Sequence, residues 1–152
     1  MKTTLIILAT LVALTSVHSS DLKEIIIQNK LENSFLIETT SLKETAQKMS
    51  ALGSLQHQKG NYSTAIEYYS KSLRIREELG EINTGSYALI LFLTSIAEHK
   101  TGESCKAIET IKKAINIYAE IGNIEQREVA IREGLNSYTN ACNISLSYNI
   151  AE

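Results

Sequence analysis

The chain has 152 residues and a formal net charge of −2, from 15 basic and 17 acidic side chains. Hydrophobic residues make up 43%, enough for the core of one domain and too many for a disordered chain. The charges are interspersed, and no basic stripe exists to neutralise phosphates, so nucleic acid is excluded as an expected partner. There is no proline, so no residue removes a helical N–H or forces a kink. Hairpin dipeptides such as Asn-Gly or Asp-Gly are missing, and no run alternates with period two. An all-α fold is expected.

The first twenty residues read as a leader. Met1-Lys2 is a short positive start, Leu5 to Leu14 is almost wholly apolar, and Thr15 to Ser20 is mostly polar. The apolar stretch has the length of a signal-peptide core, roughly 7–15 residues, and falls short of the roughly 20 that span a bilayer. Val17 and Ser19 are the small residues that cleavage after Ser19 requires; Ser20 is a close alternative. A leader over 1–19 implies a secreted or periplasmic protein with no membrane span in the mature chain. Loss of Lys2 leaves 14 basic against 17 acidic side chains, a charge of about −3. Asn61-Tyr62-Ser63 and Asn143-Ile144-Ser145 fit the N-glycosylation triplet. Cys105 and Cys142 are the only cysteines; Cys105 begins one expected helix where Cys142 ends the next, antiparallel one, so a disulfide between them is expected, as suits an oxidising compartment, with two free buried thiols as the alternative.

Helices come next in chain order. Asp21 to about Leu31 reads as a short amphipathic helix with Leu22, Ile25, Ile26 and Leu31; with its linker it fills 20–40 and is expected to cover the open start of the helical stack. Ser41-Leu42-Lys43-Glu44 has the form of a capping box, which starts a helix over about 41–59. Asn61 is placed to cap a second, over about 62–79. A third, capped by Asn83, spans about 84–100; its run Tyr87 to Leu93 is apolar on all sides, as in a helix buried between neighbours. A fourth spans about 104–121. Asn123, with Gln126 three residues on, caps a last helix over about 124–142, with Ile124, Ile131, Leu135, Tyr138 and Cys142 along one stripe. Residues 143–152 read as a frayed tail.

The segment His57–Ile82 overlays His99–Ile124 at an offset of 42 residues. Identical pairs include His57/His99, Gly60/Gly102, Ala65/Ala107, Lys71/Lys113, Ile75/Ile117, Gly80/Gly122 and Ile82/Ile124. The glycines fall between helical patterns, where a left-handed residue turns the chain. Ala65, Tyr69, Ser72 and Ile75 recur at helical spacing, as do Ala107, Ile111, Ala114 and Ile117. The small members let two helices approach closely.

Leu52-Gly53, Gly60, Tyr62, Ala65, Tyr69 and Leu73 come in the order of the tetratricopeptide motif, and the chain resembles that family over residues 45–142. The second unit is degenerate: Thr94-Ser95 replaces Leu-Gly and Ser104 replaces the tyrosine. The family's usual proline is missing, and the long period is similar to that of kinesin light chain. The resemblance implies a short α-solenoid of antiparallel helix pairs over 41–142. It also implies a concave face lined by the first helix of each pair, here Gln47, Ser50, Ser54, His57, Leu89, Phe92, Ile96 and His99, that takes a protein or peptide. Leu89, Phe92 and Ile96 read equally as core. Where members grip a C-terminal carboxylate with Lys and Asn, this chain has Ser50 and Ser54, which argues against that ligand.

His57 and His99 occupy equivalent positions. Packed helices lie roughly 10 Å apart, too far for metal–nitrogen bonds of about 2 Å to bridge, so no metal is expected. No nucleophile–base set, phosphate loop or His-Glu-x-x-His occurs. The expectation is a binding module with no cofactor and no catalysis. The alternative is a structural or self-assembling homo-oligomer, since two repeats fall short of the roughly three a solenoid needs and the face of the last helix is free to dimerise.

Overall fold

A computed structural model describes the backbone from Lys2 to Ile150 and the side chains of residues 22–34 and 36–143. The side chains of the expected leader lie outside the described residues. Every element among the described residues is helical: α1 (Lys2–Gln58), α2 (Tyr62–Glu78), α3 (Gly85–Lys100), α4 (Ser104–Glu120), α5 (Ile124–Val129), a π-helical segment (Ala130–Leu135) and α6 (Asn136–Ile150). The chain divides into two compact units, Met1–Thr40 and Ser41–Glu152. The second is an all-α solenoid of helices packed in adjacent pairs.

Four glycines make the turns. Gly60, Gly80, Gly102 and Gly122 have φ between 71° and 89°, a region that costs other residues about 1–2 kcal/mol. At the first turn the Gly60 N–H donates to the His57 carbonyl at 3.0 Å and the Asn61 N–H to the Gln56 carbonyl at 2.9 Å. This pair of bonds closes a Schellman motif and satisfies two of the carbonyls a helix end leaves open. The same two bonds recur at each of the other three glycines.

Small residues set the closeness of the helices. A Cβ built on Gly53 of α1 would stand 2.6 Å from two ring carbons of Tyr69 in α2. The Ser72 hydroxyl donates to the Ala46 carbonyl at 2.7 Å, a buried link between the same helices. Ala65, Tyr69 and Ile90 form one core cluster. Tyr87, Ala88, Leu91, Ala114 and Tyr118 form a second, and Ala107, Ile111, Ile115, Ala130 and Tyr138 a third. Ion pairs hold the turn between α2 and α3: Glu81 accepts from Lys43 at 2.9 Å and from buried Arg76 at 2.7 Å.

Several expected boundaries differ. Residues 32–44 are helical, and Ser41 caps nothing; its carbonyl accepts from the Thr45 hydroxyl at 2.9 Å. No glycine or proline lies between 21 and 52, so nothing makes a new start at 41 better than continuing. Leu22, Ile25, Ile26 and Leu31 are 48–64% exposed. Asn61 stands at the cap position of α2, but its amide donates to Gln56 Oε1 at 2.9 Å instead of capping. Thr84, not Asn83, caps α3, accepting from the Tyr87 N–H at 3.2 Å. Asn123 caps α5 through the Gln126 N–H. The last helix is interrupted by the π segment, where the Asn136 N–H reaches back five residues to the Ile131 carbonyl. It continues past 142 to Ile150. Ile124 drops out of its stripe, being 58% exposed.

The Gly53–Tyr69 contact gives a direct test. Gly53→Ala is expected to destabilise by about 1–3 kcal/mol through overpacking, whereas Gly85→Ala, whose Cβ would meet only Ile121 at 3.8 Å, leaves stability unchanged or higher. Urea unfolding followed by circular dichroism separates the two; equal midpoints would show that the close approach at Gly53 is not a packing constraint.

Candidate functional site

The expected groove residues divide into those that face solvent, those that pack on neighbours and those that line a cavity. Gln47 is exposed and Ser50 half-buried. The Ser50 hydroxyl donates to the Gln47 carbonyl at 2.9 Å and is satisfied within its own helix. Ser54 accepts a long bond, 3.4 Å, from the Tyr69 hydroxyl. His57 lies edge-on to Tyr62, with ring centres 5.2 Å apart, and 6.3 Å from Tyr69. Its Nδ1 is buried with no hydrogen-bond partner. Burial, and secondarily the Lys100 ammonium, hold its pKa below the ordinary value of 6.5. Leu89, expected within an all-round buried run, is 45% exposed, while Ala88, Ile90 and Leu91 are buried.

Phe92, Ile96 and His99 come together. With Lys100, Glu133, Ser137 and Tyr138 they line a cavity of about 230 Å³ between α3 and the last helical run. The His99 ring stacks on Tyr138 at 4.7 Å and 31°. Its Nδ1 is 2.9 Å from the Ser104 hydroxyl, a buried group in the first turn of α4. Burial raises the pKa of the Tyr138 phenol; a bond to Ser95 opposes this and the Glu98 charge adds to it. Glu98 is itself 3% exposed, with one oxygen 3.3 Å from Lys106 Nζ and the other unpartnered. The site therefore has an apolar floor, an aromatic–imidazole wall and a rim with one cation and one carboxylate. Glu133 is matched at 2.8 Å by Arg132. Lys100 makes no ion pair among the described residues.

Lys100, Glu133, Ser137 and Tyr138 were not anticipated as lining residues, Tyr138 being expected only on the apolar stripe of the last helix. Lys100 follows His99 directly and could have been reached from it. Glu133 and Ser137 could not, because the π segment offsets the register of the last helix and leaves no local signal in the sequence. Among the described residues no cluster of three or more His, Cys, Asp or Glu side chains is arranged to hold a metal ion. Cys105 and Cys142 stand at disulfide distance, with Cα atoms 4.9 Å apart, inside the 4.4–6.8 Å a bridge requires.

Glycine-ended helices in adjacent pairs, with a tyrosine seated on a glycine of the preceding helix, agree with a match along the chain. The family model described as Tetratricopeptide repeat matches residues 44–120. The chain belongs to the tetratricopeptide repeat family. The match spans the C-terminal part of α1 and all of α2, α3 and α4. Domains of this family point to protein–protein interaction. No curated protein matches the chain. In this tetratricopeptide domain the cavity beside His99 is built by α3 of the matched segment and by the helical run after it.

His57 makes the stability of the domain depend on pH. Its folded-state pKa lies below the ordinary value, so the unfolded chain binds more protons and stability rises with pH. Thermal midpoints are expected to fall as pH drops from 7.5 through about 6.5 and below. His57→Gln is expected to flatten that slope; an unchanged slope would assign it to other groups.

Proposed function

We propose that this is an exported protein-binding module without catalytic activity, and that its groove takes a protein or peptide segment anchored in the cavity bounded by Phe92, Ile96, His99 and Tyr138. The observation that carries this reading is the cavity itself. Three side chains assigned to the groove from sequence line it together, in a family whose domains bind proteins. Its volume suits one large apolar side chain, and pockets of this kind supply the anchors that dominate interface energies. Gln47, Ser50, Ser54, His57 and Leu89 extend the surface away from that anchor. The long 42-residue period is part of the same reading, supported by left-handed glycines at Gly60 and Gly102 and again at Gly80 and Gly122.

Export rests on the leader pattern and on the cysteine pair, since bridges persist in oxidising compartments. A Cys105–Cys142 bridge would tie the start of α4 to α6. Asn61 and Asn143 are exposed, as glycan acceptors must be. The second reading, a structural or self-assembling subunit, keeps its footing in the shortness of the stack.

Two measurements test these readings. Ile96→Glu, at a lining residue outside the core clusters, is expected to abolish capture of the partner from the host's extracellular or periplasmic fluid while helical circular dichroism stays intact. Capture that survives this change, and survives bulky substitutions at Ser54 and His57, moves the site to the convex face or an end. Separately, the intact mass of protein recovered from outside the host cell should correspond to a chain starting at Ser20 or Asp21, with no thiol labelled after unfolding. An N-terminus at Met1, or two labelled thiols per chain, contradicts export or the bridge respectively. Reduction should then cost about 3–4 kcal/mol, the loop-closure value for about 38 residues.

A further inference from the structure

The first compact unit carries a surface that the groove reading does not use. In α1, Leu22, Ile25, Ile26, Leu36 and Ile37 are 48, 54, 64, 62 and 71% exposed. At about 100° per residue these five fall within one arc of about 120°. The same arc holds Asn29 and Asn33 between the two apolar clusters. Read from either end, this face runs the same way over 25–37: Ile25 answers Ile37, Ile26 answers Leu36, and Asn29 answers Asn33, while Leu22 falls opposite Thr40. Ile27 and Leu31, also exposed, lie on the other side of the helix.

We propose that this face pairs antiparallel with the same face of a second copy of the chain, about a two-fold axis near residue 31. A two-fold interface must be self-complementary, with each residue meeting its counterpart's partner, and the palindromic order meets that condition. It sets Ile26 against Leu36 of the second copy at each end and Asn29 against Asn33 in the middle. A pair of asparagines within an apolar seam fixes register, because any slip buries their amides against hydrocarbon. The five side chains expose on the order of 500 Å² per helix, so a pair buries at most about 1,000 Å², the lower edge of biological interfaces. A lipid surface fits worse. Interfacial helices present Lys and Arg to the headgroups, whereas residues 21–38 hold four acidic side chains (Asp21, Glu24, Glu32, Glu38) and two basic ones (Lys23, Lys30). Asn29 and Asn33 also sit where acyl chains would be.

Sedimentation equilibrium on the full protein, purified from its native host, tests the pairing. Wild-type protein is expected at twice the chain mass. Ile26→Asp with Leu36→Asp is expected at the single-chain mass with unchanged helical circular dichroism. Should that variant fail to fold, Asn29→Leu with Asn33→Leu decides: apolar substitutions in the seam are expected to lower the dimer dissociation constant at least about tenfold. Wild-type protein at the single-chain mass overturns the pairing. So does a charged variant that folds and remains dimeric, or a leucine variant no tighter than wild type. Flotation of wild-type but not charged-variant protein with phosphatidylcholine–phosphatidylglycerol vesicles overturns it in favour of lipid. The face lies on the first unit, so groove variants such as Ile96→Glu leave the dimer intact, and failure of either reading is seen apart from the other.

Discussion

Tyr69 sits where a side chain at position 53 would otherwise be, and the second unit is organised around that contact. Its ring fills the space over Gly53 at distances no Cβ tolerates, so α1 and α2 approach more closely than two ordinary helix faces permit. The same ring is fully buried and packs with Ala65 and with Ile90 of α3. One side chain therefore fixes three helices. His57 stands beside it, and Ser54 accepts from its hydroxyl. Ser54 and His57 of α1 are thus positioned from behind, by a fully buried residue.

Much of this was legible because its signals are local. Glycines that end helices act through their own backbone, so Gly60, Gly80, Gly102 and Gly122 mark turns whatever surrounds them. The spans of α2, α3 and α4 follow from those turns, and the buried row Ala65–Tyr69–Ser72 follows from helical spacing. The capping box at Ser41 misled for the converse reason. A cap competes with the continuing helix, and it wins only where the preceding residues cannot stay helical; Glu32 to Thr40 can. Asn83 and Thr84 were both competent caps, and their relative position to the Tyr87 N–H decided between them.

The site was legible in part. Phe92, Ile96 and His99 were reached through the resemblance, because the repeat fixes which face of the first helix is concave. Leu89 shares that helix, yet α3 exposes it where the apolar run suggested burial all round. Amphipathic pattern cannot separate an exposed apolar side chain from a core one in such a run, and here Leu89 is exposed while Ile90 is buried. The opposite wall depended on a backbone feature with no composition cue.

That feature explains how the last helical run stays in place. Its buried positions are Ala130, Gly134, Tyr138 and Cys142, a spacing of four. In a plain α-helix a row spaced by four rotates about 40° at each step, so the row would leave α4 within three steps. The π segment over Ala130–Leu135 widens the turn by one residue and takes up much of that drift. Gly134 is then held against Ile111, where a Cβ would meet the Ile111 Cδ1, and Tyr138 stays in the third core cluster with its ring under His99. Cys142 reaches Cys105 at the end of the same row. The cavity wall, the close glycine contact and the cysteine pair are therefore consequences of one register. A change that restored a regular α-helix there would disturb all three together.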